Sequence, residues 1–175
     1  HHDIIPDMIC MAKGLTSSYL PLGCLMVSDR IAEKFNTTPL MIDLTYNAHP
    51  VCLAAALRVI EIYEEDNLIQ NAQKMGAYIE QKINDMRALH PSMGNFRNKG
   101  LLGCLEVLKN KKTGTLIAPY NASGDDLKIS NRIAAKIREL GMYTFVRWGY
   151  IFVAPPLTIN KQEIDEGLAI ISEAL

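Results

Sequence analysis

Three side chains stand where their surroundings in the sequence would give them chemistry: Lys13, Thr45 and Arg147. Lys13 follows the apolar run Met8-Ile9-Cys10-Met11-Ala12 and precedes Gly14. A lysine so placed is expected to be partly desolvated, which disfavours the ammonium and lowers its pKa. The neutral amine is the form that attacks a carbonyl to make a Schiff base. The alternative is a lysine at a strand end whose ammonium reaches out into water. Thr45 lies in Asp43-Leu44-Thr45-Tyr46-Asn47-Ala48-His49-Pro50, just ahead of a helical pattern that opens near Pro50. Free amides at a helix start attract anions, and a threonine there can hold a phosphate. An ordinary cap or turn residue is the alternative. His49 is read as a structural hydrogen bonder rather than a base. Arg147 lies in Phe145-Val146-Arg147-Trp148-Gly149, between two apolar segments. A guanidinium at a strand end can fork onto a carboxylate; a surface arginine in a hairpin turn fits the local sequence equally well.

The elements around these residues follow from periodicity and breakers. Residues 4–28 are apolar and punctuated by Pro6, Gly14, Pro21 and Gly23, which predicts a short strand, a loop and a strand over 23–28. Asp29 is expected to cap a short helix over 30–35. Residues 51–65 are Ala-rich and helical, and Ala54-Ala55-Ala56 would let another backbone approach closely. Leu68, Ala72, Met75, Ile79, Ile83 and Met86 recur on one helical face, and that helix must end before Pro91. A strand is expected over 100–108 and a polar loop over 109–114. A helix carrying Ile129, Ile133, Ile137 and Leu140 would close at Gly141. Strands are expected over 142–146 and 151–154, the second stopped by Pro155-Pro156. Asn160 with Glu163 predicts a capping box for a last helix with Ile164, Leu168, Ile171 and Leu175 on its inner face. The second half is therefore α+β, with helices on one face of a small sheet. The first half looks unable to close a core alone, and the boundary is placed near Asn67.

The chain has 175 residues, 49% hydrophobic and 21% charged, which suits an ordered core rather than disorder. A formal net charge of −1, without any Lys/Arg block, gives no footprint for nucleic acid. No apolar run approaches the ~20 residues of a membrane helix, and no signal-peptide pattern opens the chain. Cys10, Cys24, Cys52 and Cys104 form no C-x-x-C and no metal spacing with histidine. They are expected to be buried, reduced thiols in a cytoplasmic protein. Dinucleotide, P-loop, zinc-protease and serine-hydrolase signatures are missing. The start at His1-His2, without Met, is expected to be cut from a longer chain or to lack its beginning, and the two histidines read as native sequence rather than a tag scar or a metal site.

Pro6-Asp7-Met8-Ile9-Cys10-Met11-Ala12-Lys13-Gly14-Leu15, followed by Tyr19-Leu20-Pro21-Leu22-Gly23, resembles the lysine segment of class III aminotransferases. Thr45-Tyr46-Asn47-Ala48-His49-Pro50 resembles that family's threonine-to-His-Pro segment. Val146-Arg147, then Ala154-Pro155-Pro156-Leu157-Thr158-Ile159 and Glu163-Ile164-Asp165, resembles its C-terminal signature. The likeness runs along the whole chain and is nearest in look to the ω-amino-acid:pyruvate and taurine:pyruvate branch.

The resemblance implies an α/β fold: the end of a fold type I large domain over 1–67, including an inter-domain helix, then an α+β small domain over 68–175. It implies pyridoxal 5'-phosphate as cofactor. Lys13 would be its Schiff-base lysine and the base that moves the substrate proton. Thr45 would bind the cofactor phosphate of the neighbouring subunit in a two-fold dimer, and Arg147 would meet a substrate carboxylate. It implies transfer of an amino group from an amine or ω-amino acid to an oxo-acid such as pyruvate. An aminomutase on the same scaffold, or a non-catalytic binding module, are the alternatives. Two departures stand out. The family's acidic partner of the pyridine nitrogen, its ring-stacking aromatic and its Gly/Ser phosphate turn would lie upstream of this chain. Asp43 and Leu44 stand where the family has Gly and Phe.

Overall fold

The computed structural model describes residues 3–42 and 44–175; His1, His2 and Asp43 lie outside the described residues. The chain divides into two compact units, His1–Asn67 and Leu68–Leu175.

In the first unit, strands β1 (Met8–Met11) and β2 (Cys24–Val27) pair antiparallel, with Met8 opposite Val27 and Met11 opposite Cys24. A 3-10 turn, Lys13–Thr16, leaves β1. Helix α1 spans only Asp29–Ala32 and tightens into a 3-10 turn at Glu33–Phe35. Asp29 therefore does not cap it: Ser28 holds the N-cap position and makes no side-chain cap bond. Asp7 anchors this end instead. Its carbonyl accepts from Ser28 N at 2.8 Å, and its carboxylate meets Arg30 at 2.6 Å. Helix α2 (Pro50–Glu65) begins at Pro50, whose missing N–H would have had no partner in the first turn anyway. Among the described residues of this unit, Ala56 and Val59 are the buried apolar side chains. Ile4, Ile5, Met8, Ile9, Leu25 and Met26 are exposed.

The second unit carries a real core. Helix α3 (Leu68–Leu89) leads to strands β3 (Met93–Lys99), β4 (Leu102–Asn110) and β5 (Thr115–Leu116), then helix α4 (Lys128–Glu139), strands β6 (Val146–Arg147) and β7 (Tyr150–Val153), and helix α5 (Lys161–Ala174). The sheet runs β3-β4-β7-β6, antiparallel throughout, with β5 paired to β4. Met75, Ile79 and Ile83 from α3, Ile133 and Ile137 from α4, and Ile164, Leu168 and Ile171 from α5 pack on Met93, Leu105, Val107 and Ile151 of the strands. The helix residues among them are the periodic positions seen in the sequence, now packed against the strands.

Three strand expectations change. β3 carries little strand signal, because Met93-Gly94-Asn95-Phe96-Arg97-Asn98-Lys99 has Phe96 as its one strand former and no apolar alternation; its pairing with β4 makes it a strand. The strand expected over 142–146 shrinks to Val146–Arg147. Phe152 N still donates to Phe145 O at 2.9 Å, and the Thr144 hydroxyl donates to Phe152 O, so this segment follows β7 outside the regular ladder. The loop over 109–114 is in part the end of β4 and the turn of a β4–β5 hairpin.

The cysteines are also corrected. All four are free thiols, but Cys10 and Cys24 are exposed on β1–β2, and Cys52 and Cys104 are only partly buried. Apolar neighbours along a strand do not bury a residue when the strand's own faces are open. No helix among the described residues is long and apolar enough to cross a membrane, and no metal-binding group of His, Cys, Asp or Glu occurs among them.

Candidate active site

Lys13 opens the turn that leaves β1, and its backbone lies in the left-handed region at φ +54°. Ser17 and Ser18 follow at +49° and +64°. A left-handed non-glycine residue costs about 1–2 kcal/mol, and such strain gathers at functional sites when the surroundings enforce it. Here the surroundings do. Ser17 N donates to Gly14 O at 3.2 Å and Tyr19 N to Thr16 O at 3.0 Å. Thr16 is buried, and its hydroxyl donates to Leu20 O at 2.6 Å. Tyr63, one turn from the end of α2, donates its phenol to Gly14 O at 2.7 Å. A Cβ on Gly14 would stand 3.4 Å from that phenol oxygen, so the loop and α2 meet closely there. Helix α2 thus fixes the loop, and Lys13 lines an open hollow of about 420 Å³ together with Thr16, Ser18, Tyr19, Leu20 and Pro21. The desolvation expected of Lys13 is not found: the residue is exposed. β1, which carries the apolar run ahead of it, is itself largely uncovered.

Thr45 is exposed and opens the turn 45–48 that feeds α2. Asn47 N donates to Leu44 O at 2.9 Å, and Ala48 is left-handed at φ +51°. The hydroxyl therefore sits four residues ahead of the N-cap, His49, rather than on the first turn. His49 makes no side-chain cap bond, so its expected structural hydrogen bond is absent there; its ring stands 6.4 Å from that of Tyr46. Asp43, which with Leu44 departs from the family pattern, lies outside the described residues. Thr45 is not among the residues lining the hollow at Lys13.

Arg147 ends β6 opposite Tyr150 and is exposed. Its guanidinium carbon lies 4.3 Å above the Trp148 ring. Among the described residues it makes no ion pair. It belongs to the second unit, whereas Lys13 and Thr45 belong to the first. Tyr63, Trp148 and Tyr120 were not singled out as site residues. Only Trp148 carried a sequence signal, as the neighbour of Arg147.

The family profile "Aminotransferase class-III" matches residues 1–175. The chain belongs to the class III aminotransferases. It is 32% identical over 176 residues to a diaminobutyrate–2-oxoglutarate transaminase of Halomonas elongata, covering 97% of this chain and 36% of that protein. The crystal structure of a taurine:2-oxoglutarate aminotransferase from Bifidobacterium kashiwanohense, in complex with PLP and glutamate, superposes with a TM-score of 0.87 at 33% identity. It covers 98% of this chain and 38% of that one. An S-selective transaminase from Arthrobacter sp. gives 0.88 at 30% identity, over 100% of this chain and 39% of its own. The chain spans 38–40% of the length of curated relatives that it matches. The mixed α/β fold is that of these transaminases, and the family uses pyridoxal 5'-phosphate. The residues present fit that cofactor. A primary amine held on a strained, braced loop beside an open hollow suits its aldehyde, and the exposed Thr45 hydroxyl is a donor that suits a phosphate.

Proposed function

We propose that this class III aminotransferase chain carries the lysine segment and C-terminal domain of an enzyme that moves an amino group from an amine or ω-amino acid to an oxo-acid such as pyruvate. Residues 1–67 would end the cofactor-binding domain, and residues 68–175 would form the small domain. The observation that carries the reading is the loop at Lys13. Its left-handed backbone is held by Tyr63 and Thr16, Lys13 lines an open hollow, and among the described residues Lys13 makes no ion pair.

Bound pyridoxal phosphate supplies an aldehyde for amine attachment and a ring that takes up negative charge from the substrate's amine-bearing carbon. Lys13 would hold the cofactor through its Nζ and, once released by the incoming amine, accept and return the proton of that carbon. Thr45 would donate its hydroxyl to the cofactor phosphate of a partner subunit, which makes a two-fold homodimer the working unit. Arg147 would meet the carboxylate of the oxo-acid or amino acid with in-plane N–H donors. The free cysteines suit a cytoplasmic, reducing setting.

The test is chemical. Borohydride reduction of the cofactor-loaded protein should fix the cofactor on the peptide that contains Lys13, read by mass spectrometry. Lys13→Ala should leave no label and lower turnover by several orders of magnitude. Label on another lysine overturns the assignment.

A further inference from the structure

We propose that Trp148 and Tyr120 are positioning residues for Arg147, forming an aromatic platform that holds the guanidinium ready for a substrate carboxylate. The inference rests on the reading of Arg147 given above and names what sets its orientation. Arg147 lies 4.3 Å over the Trp148 ring, and that ring lies 4.6 Å from the ring of Tyr120, tilted by 56°. A guanidinium held by its face keeps its N–H donors free in the plane, where a planar carboxylate takes two of them. Stacking therefore fixes direction without using up donors.

The backbone shows that the tryptophan is there for its side chain. Trp148 and Gly149 form the two-residue turn between β6 and β7, and Trp148 stands at φ +53°. Positive φ in such turns favours Gly, Asn or Asp, and a bulky aromatic is an outlier. The glycine beside it is committed elsewhere: a Cβ on Gly149 would lie 2.8 Å from the Leu116 Cβ and 3.2 Å from Ala118 O. The turn is anchored from both sides. The hydroxyl of buried Ser130, on α4, donates to Trp148 O, and Val107 N on β4 donates to Gly149 O at 2.7 Å. Tyr120 sits in its own tight turn, where Ala122 N donates to Pro119 O at 3.2 Å and Asn121 is left-handed at φ +62°. Fixed backbone on both sides thus sets where the two rings meet.

The experiment uses the intact, cofactor-loaded enzyme and follows each half-reaction in single turnover. One substrate bears a carboxylate, pyruvate or alanine; the other is a simple amine donor without an acid group. Glycine suits φ +53°, so Trp148→Gly keeps the turn while removing the ring. It should weaken half-saturation by the carboxylate substrate roughly 3- to 30-fold, the size of a cation–π contact. The acid-free amine should change less than about two-fold, and the limiting rates should hold. Trp148→Phe should restore most of the loss, and Tyr120→Ala should show a smaller loss of the same kind. Arg147→Gln should weaken carboxylate binding more, with Trp148→Gly adding nothing on top of it. If Arg147→Gln loses carboxylate binding but Trp148→Gly and Trp148→Phe do not, the platform is wrong and the arginine reading stands. If Arg147→Gln leaves carboxylate binding intact, both fall. Equal losses on both substrates in the Trp148 variants mean a structural turn and overturn the inference.

Discussion

At the scale of single residues, position was legible and surroundings were not. Lys13 and Arg147 were marked by residue type and neighbours, yet the burial expected around Lys13 is missing and the stack over Trp148 needed coordinates. Asp165 shows how one carboxylate can gather partners that are distant in sequence. The Lys82 ammonium lies 3.1 Å from it and the Tyr78 phenol donates to it at 2.9 Å, both from α3. The Lys82 bond first, and the Tyr78 bond second, hold its carboxyl below the usual aspartate range. A pKa lowered on folding stabilises the native state above the unfolded pKa, and that stability is lost as pH falls through the folded value. Its exposed position keeps the effect small. Asp165→Asn should therefore lower the midpoint of urea unfolding slightly at neutral pH and leave it unchanged at the acid end, below both pKa values. A loss that persists in strong acid would show that the carboxylate is not its source.

At the scale of elements, the helices were legible to within a residue or two, and the short strands were not. The capping box at α5 is present as expected: Asn160 accepts from Glu163 N at 3.0 Å, and the Glu163 carboxylate accepts from Asn160 N at 2.9 Å. Its donors and acceptors lie within four residues, so the sequence contains the whole device. Gly76 is the opposite case. In mid-helix, glycine costs roughly 1 kcal/mol relative to alanine, so propensity alone makes Gly76→Ala stabilising. The structure reverses the sign. A Cβ on Gly76 would lie 2.7 Å from the Gly100 Cα, where α3 meets the β3–β4 turn, and Gly100 is itself left-handed at φ +54°. Asn98 ties the two together, donating to Gly76 O and Gly100 O at 3.0 Å each. Backbone cannot rotate out of the way, so Gly76→Ala should destabilise by about 1–3 kcal/mol in denaturant unfolding. A gain in stability would refute the close contact.

At the scale of the whole molecule, apolar burial is uneven between the units. All residues of the central core cluster belong to the second unit. In the first, Ile5 is 97% and Met41 92% exposed, and β1–β2 presents Met8, Ile9, Leu25 and Met26 to solvent. Exposed apolar area on this scale drives association when nothing else covers it. The 175-residue chain alone should self-associate in sedimentation velocity, and limited proteolysis should cut within 1–67 before 68–175. A monomeric chain that is cut first in the second unit would contradict this.

The sequence by itself determined what depends on near neighbours and on period. That includes the family's motifs, the faces of α3, α4 and α5, the capping box, and the candidate residues Lys13, Thr45 and Arg147. Tertiary structure decided what depends on a partner far along the chain. β3 exists because β4 pairs with it, Gly76 is glycine because of Gly100, and the Lys13 loop is strained because Tyr63 and Thr16 hold it. Hydrophobic period and capping act within a few residues, so a linear pattern records them. Pairing, close approach and backbone strain are set by atoms brought together only on folding.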